Sequence, residues 1–334
     1  MDTDRFPESF GPPKSFFVSV IRSSWLMLFA ALTFMGISWF VLEEYLRDRG
    51  EERFNNHVQE LSEAVTRRMM AYEQVLRGGV GLFLSSNGVT RSEWQIYVAN
   101  ARLSDYYPGI QGIGFAQLVM PTSLDEFTQQ VQQEGFTDFR VTPTGNRELY
   151  CVIKYLEPFD WRNQRAFGFD MCSESTRRTA ILNAIASGQV KVSGKVTLVQ
   201  ETPDNSQAGV LMYVPFYHGQ PVTEAERLQQ AIGVVYAPFR MDNLMQGIMG
   251  KRFSGLKLAI YDGSEANHAS LMFSSHKALP SPKDVFYQSK LENMEGQVWR
   301  IDVSSESRFI SIAEQTQSMW LQVIGCAFIL ALLY

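Results

Sequence analysis

Cysteine, histidine and clustered positive charge are all scarce in this 334-residue sequence, and each scarcity removes a class of function. Three cysteines are too few for a disulfide scaffold. Cys326 lies inside a terminal apolar run, which leaves Cys151 and Cys172 as the only two able to pair in an oxidising compartment; the plainer expectation is two small, semi-buried thiols. There is no CxxC, and His57, His218, His268 and His276 stand far apart without ligand spacing, so neither a structural metal nor a cofactor is expected. A net charge of -5 with no run of Lys and Arg sets nucleic acid aside as a partner, because phosphate binding depends on clustered cations that release counterions. The Gly-rich stretch GGVGLF from Gly78 lacks both a preceding strand and a following Lys-Ser/Thr, so it reads as a helix-breaking site of close packing and not as a phosphate loop.

Apolar residues, by contrast, are plentiful at 45%, with 13% aromatic and only 19% charged, and their excess gathers at the two ends. Trp25 to Leu42 carries no ionisable residue and has Trp near both edges. About 20 residues at roughly 1.5 Å each cross a hydrocarbon core of about 30 Å, so this run is expected to span a membrane. No small-residue cleavage site follows, which favours an uncleaved anchor over a signal peptide. A second run, from Met319, is still apolar at Tyr334 and predicts a second span with more protein beyond it. Lys14 and Arg22 before the first run balance Arg47, Arg49 and Arg53 after it, so charge counting leaves the orientation open.

Between the runs, Leu46, Val58, Leu61, Val65, Met69, Tyr72 and Leu76 recur at mostly three- and four-residue steps in a Pro-free stretch, which predicts an amphipathic helix leaving the membrane. Its stripe is expected to pack against its own domain, a second copy, or both. Further helices are predicted over 91–102, 123–133, 174–187 and 241–249, and strands over 110–119, 136–142, 149–155, 190–199, 209–217, 231–239, 256–261, 271–275, 284–291 and 298–303. That alternation predicts an α+β domain on antiparallel sheets, with residues 108–217 in one layer, 231–304 in a second, and 219–230 joining them.

YYPGIQGIGFAQLV (Tyr106 to Val119), YLEP (Tyr155 to Pro158), GFDM (Gly168 to Met171), SGKVTLVQE (Ser193 to Glu201) and VLMYVPFY (Val210 to Tyr217) resemble, in order and spacing, the CHASE domain, the extracytoplasmic sensor of many bacterial histidine kinases, cyclic-dinucleotide enzymes and plant cytokinin receptors. The resemblance covers about residues 77–262. It implies a long membrane-proximal helix followed by two tandem PAS-like lobes, an extracytoplasmic position, and a ligand in the membrane-distal lobe. The expected organisation is a cytoplasmic N-terminus (1–24), a first transmembrane helix (25–42), the long helix (43–84), a distal lobe (85–218), a proximal lobe (219–306), a linker helix (307–318) and a second transmembrane helix (319–334). The expected partners are a small-molecule ligand, the membrane, and a second copy through the juxtamembrane helix.

In the cytokinin receptors the Asp of the GFDM segment anchors the ligand's purine, which implies that role for Asp170. Its chemistry suits it: a carboxylate beside Phe167 and Phe169 can accept hydrogen bonds from a flat ligand that the rings sandwich. The competing reading is that Asp170 binds free backbone N–H groups before the 174–187 helix, although Ser173 is the better-placed cap. The family's opposite wall implies Val192, Ser193, Thr197, Gln200 and Thr202, with Leu211 and Tyr213 from the next strand; alternation along a strand turns about half of such residues away. Tyr213 stands where the cytokinin-binding pattern has a small polar residue, so a ligand other than a cytokinin is expected. Glu157, Asp160, Asp170 and Glu174 lie close together but without a nucleophile and base, and are read as turns, caps and ion pairs. The chain is therefore not expected to be an enzyme in itself. No kinase, GGDEF or EAL signature is present, so the expected output, a histidine kinase or a cyclic-di-GMP enzyme, would follow Tyr334. A ligand-free dimerisation ectodomain is the remaining alternative.

Overall fold

A computed structural model describes residues 14–202, 206–249, 253, 255–306, 309, 320, 323–325 and 327. The predicted linker helix and second transmembrane helix fall for the most part outside the described residues, as do residues 1–13. Contacts divide the chain into two units, one of which is residues 56–306 and carries all the sheet structure.

The first helix, α1, runs unbroken over Lys14–Leu84. In its Trp25 to Leu42 portion the large apolar side chains point outward all round, with Phe29 71% and Phe40 69% exposed. A helix apolar on every side needs an apolar solvent. Among the described residues this is the one helix long and apolar enough to cross a membrane. Further along, Val58, Leu61, Val65, Met69, Tyr72 and Leu76 are buried within residues 56–306, so the predicted stripe packs against its own domain. The glycines do not break the helix. Gly79 instead lets it approach, since a Cβ there would meet the Trp94 ring at 3.0 Å and Val235 at 3.2 Å.

After α1 come α2 (Arg91–Ala101), α3 (Leu103–Tyr106), β1 (Ile113–Val119), α4 (Leu124–Gln133), β2 (Tyr150–Glu157), α5 (Ser175–Ser187), β3 (Lys191–Val192), β4 (Val196–Thr197), β5 (Ala208–Tyr217), α6 (Glu224–Gln230), β6 (Ala231–Arg240), α7 (Met241–Met249), β7 (Leu256–Asp262), β8 (Leu271–Ser274), β9 (Tyr287–Met294) and β10 (Gln297–Ser305). The fold is α+β with two antiparallel sheets. The larger has the order β2-β1-β6-β5-β3, with β4 also on β5; the smaller has the order β8-β7-β10-β9.

β6 is a correction to the expected layering. It lies between β1 and β5 in the larger sheet, not in the second layer, because every residue before Arg240 is apolar, on both faces, and the strand is buried almost throughout. The stretch expected as a plain join holds α6, begun by a capping box in which Thr223 and Glu226 exchange hydrogen bonds. The strand predicted over 136–142 does not form, and that over 190–199 splits into two short pieces.

The larger sheet is covered on both faces. Phe83 of α1 meets Phe115 (4.5 Å), Phe216 (5.1 Å) and Trp94 of α2 (5.5 Å) on one side. On the other, Ala116, Ile153, Leu211, Tyr213, Val234 and Tyr236 pack with Ile181, Ala184 and Ile185 of α5. A bulge between Phe115 and Ala116 pairs Phe115 with Tyr155 but Ala116 with Ile153. Tyr155 is thereby placed with Trp94 and Phe115, while Ile153 stays in the α5 core.

Candidate functional site

The core between the larger sheet and α5 is where the fold collects polar groups that its apolar neighbours do not satisfy. Tyr213 on β5 and Tyr236 on β6 are register partners in the sheet, both fully buried, with ring centroids 6.3 Å apart. Gly114 on β1 makes room for the second ring, since a Cβ there would come within 2.5 Å of it. Among the described residues, Tyr213 Oη has only the Met171 sulfur, 3.7 Å away, and Tyr236 Oη has no hydrogen-bond partner. Burial pushes both phenols well above their ordinary range.

Asp170 is fully buried at the mouth of the turn Met171–Ser173. Its Oδ1 accepts hydrogen bonds from the amides of Cys151 (2.8 Å) and Cys172 (3.0 Å). Its Oδ2 lies 3.3 Å from Arg147 Nε, but without the alignment of a hydrogen bond, and accepts none. Burial raises its carboxyl above the usual range, against the opposing pull of the two amides and Arg147. Asp170 therefore uses one oxygen to hold backbone and keeps the other unsatisfied. The α5 cap is neither Asp170 nor Ser173: Glu174 accepts from the amides of Thr176 and Arg177. Glu157 and Asp160 likewise accept from backbone amides in the next turn.

Of the residues implied by the motif run, Leu211 and Tyr213 lie in this core, Asp170 borders it through the amides of Cys151 and Cys172, and half-buried Phe169 packs against it under the Arg177 guanidinium, 5.5 Å from the ring centre. Ser193 is buried where β3 leaves β5; its hydroxyl accepts the Leu211 amide and donates to the Gly194 carbonyl, closing the broken ladder. The others point elsewhere. Gln200 donates to Asn163 Oδ1 at 3.4 Å. Thr197 is exposed, its carbonyl accepting from Arg177, and Thr202 is half-buried in the following loop. Val192 lines a separate cleft of about 330 Å³ with Thr176, Lys191, Asp262 and Gln297. The strand's two short pieces face different neighbours, so no single wall includes all of SGKVTLVQET. Sequence reasoning missed Tyr236 and Arg147. Tyr236 sits in the uniformly apolar VVYA, where nothing marks its hydroxyl as unpaired.

The segment Ser193 to Lys195 also touches the smaller sheet. The Lys195 amide donates to Asp262 Oδ2 (2.7 Å) at the end of β7, and Gln297 Nε2 at the start of β10 donates to Asp262 Oδ1 (2.6 Å).

Residues 87–273, more than half of the chain, match the family of the CHASE domain, and the matched stretch contains every residue of the buried polar site. The chain belongs to the CHASE domain family. CHASE domains are extracellular sensor domains of receptors, sensory and not catalytic, and this one stands beside an N-terminal helix that is a candidate membrane span. Comparison with curated proteins gives no match.

Proposed function

We propose that this CHASE chain is the ligand-sensing input of a transmembrane receptor, taking a small molecule into the core between the larger sheet and α5 and relaying it to an output beyond Tyr334. The observation that carries the reading is that two buried polar atoms here, Asp170 Oδ2 and Tyr236 Oη, lack hydrogen bonds among the described residues. Cys151, whose amide Asp170 holds, packs in the same core cluster as both phenols, which supports treating the carboxylate and the phenols as one site. An unsatisfied buried polar group costs about 1–3 kcal/mol. A ligand that offers a donor to the carboxylate and a partner to the phenol removes that cost, and the apolar lining takes its body.

In this reading the two sheets are PAS-like lobes. Asp262, hydrogen-bonded both to Lys195 and to Gln297, carries the change into β10, and β10 leads toward a second transmembrane helix. The ligand shifts the receptor only by as much as it prefers one arrangement over the other. A second copy meets the exposed face of α1, with Gln59, Glu63, Arg67 and Met70, since Val58, Leu61, Val65 and Met69 are buried in their own domain.

A thermal-shift screen of small polar heterocycles against the purified chain tests this site. A hit is expected to bind about 10-fold more weakly to Tyr236→Phe and to Asp170→Asn. A hit whose affinity is the same in both variants would remove this core as the site.

A further inference from the structure

The two cysteines of residues 56–306 lie beside the proposed site and are not needed by it. Cys151 on β2 and Cys172 in the turn before α5 are 0% and 1% exposed, and both thiols are free. Their backbones are drawn together by one atom: both amides donate to Asp170 Oδ1. The segments that carry them are also bonded directly, with the Gly168 amide donating to the Ile153 carbonyl (3.1 Å) and the Ile153 amide to the Phe169 carbonyl (3.0 Å). Both side chains enter the same core cluster with Met171 and Ile153. They are neighbours there: contact with the Cys172 thiol, then burial, holds the Cys151 thiol protonated well above its ordinary range.

We infer that Cys151 and Cys172 are a disulfide-forming pair, joined when the domain folds outside the cytoplasm, and that the bond pins the Asp170 turn to β2. The inference rests on the extracytoplasmic placement of the CHASE domain and not on any ligand. Contact between the two thiols inside one core cluster sets the pair up for a bond, which needs Cα atoms about 4.4–6.8 Å apart. An intracellular pair stays reduced, but an oxidising compartment supplies exchangeable protein disulfides. In the reaction both thiols lose a proton, the Cys151–Cys172 bond forms through a mixed disulfide, and the oxidant's disulfide takes the two electrons and becomes a dithiol. Because both sulfurs end fully buried, the exchange precedes closure of the core, and the finished bond is shielded from small reductants. The bond would hold the carboxylate of Asp170 in place even when a ligand competes for its hydrogen bonds.

The test is thiol counting on the full chain recovered from membranes without reductant. N-ethylmaleimide is added in denaturant before and after reduction, and protease protection is run alongside. Of the three cysteines, only Cys326 is expected to react before reduction, and all three after it. Reduction under partly unfolding conditions should lower Tm by about 5–10 °C, as a loop of this size predicts, and that drop should be absent from the Cys151→Ala/Cys172→Ala variant. Three reactive thiols before reduction on a protease-accessible, extracytoplasmic domain overturn the pairing. A domain found on the cytoplasmic side overturns the placement on which it rests, and the two failures are read separately.

Discussion

The larger sheet is covered on both faces and buries charge, whereas the smaller sheet leaves much of one strand to solvent and pairs its buried carboxylate and hydroxyls, Asp302, Ser304 and Ser305. Around the larger sheet Glu157, Asn163, Asp170, Arg177, Gln200, Glu201 and Arg240 are all buried. In the smaller one Asp302 pairs with Arg300 at 2.8 Å, Ser304 donates to Asp284 at 2.6 Å, and Leu291 on β9 is 58% exposed. Each sheet also leaves buried polar atoms without hydrogen bonds among the described residues, but those of the smaller sheet, Trp299 Nε1 and Gln288 Oε1, are an indole donor and an amide acceptor on different strands. At the larger sheet Tyr236 lies in the core against α5 and Asp170 borders that core through the Cys151 and Cys172 amides, while Arg91 Nε and Arg162 Nη1 also lack hydrogen bonds. Burying polar groups is costly unless they are satisfied, so a core that tolerates unsatisfied ones is arranged for something besides stability.

The strongest way to test that contrast is through the buried pair Glu201 and Arg240, whose contacts at 2.7 and 3.2 Å are bidentate. Arg240→Met alone should cost about 3–5 kcal/mol in thermal or urea unfolding, because it strands a buried carboxylate. Glu201→Leu added to it should restore most of the loss. If the single variant costs under about 1 kcal/mol, the larger sheet is no more dependent on buried charge than the smaller.

Asp170→Ala comes next, at about 2–4 kcal/mol, since the Cys151 and Cys172 amides lose their acceptor. Asp170→Asn keeps an acceptor oxygen and should cost under about 1 kcal/mol. The pH dependence separates charge from hydrogen bonding. Asp170 has a raised carboxyl, so its favourable contribution is present at low pH and is lost as pH rises through the raised value. Wild type should therefore gain Tm relative to Asp170→Asn on acidification from neutral pH, and an opposite trend would show the Arg147 pairing to dominate burial.

Tyr236→Phe sharpens the contrast further, because it removes a hydroxyl without a partner. Stability should stay the same or rise by up to about 1 kcal/mol while ligand affinity falls. A clear loss of stability would mean that the hydroxyl is satisfied in solution. The smallest effect belongs to the smaller sheet: His276 and Glu306 are 2.8 Å apart but 42% and 34% exposed, and His276→Ala should change stability by under about 0.5 kcal/mol.

Much of the local structure was legible in the sequence because it follows from spacing. The α1 stripe, the four predicted helices after it and the run of ordered motifs each rest on periodicity or on residues adjacent in the chain. The acidic residues Glu157, Asp160 and Glu174 also read correctly as turns and caps, since such roles are settled within a few residues. The capping box at Thr223 was equally local and was overlooked.

Other features were beyond reach for a physical reason. A strand apolar up to its last residue, such as β6, states that it is buried but not in which sheet, and its place beside β1 comes from pairing over more than 100 residues. The split of SGKVTLVQET into pieces with different neighbours depends on where Asp262 and Asn163 arrive from elsewhere. By itself the sequence determined a membrane-apolar helix, an amphipathic continuation and a family of extracellular sensors. Only the tertiary structure decided that Asp170 would spend one oxygen on two backbone amides and turn the other to Arg147, and that the Tyr236 hydroxyl would be buried without a hydrogen bond among the described residues, because hydrogen-bond satisfaction is settled by the groups that long-range packing brings within reach.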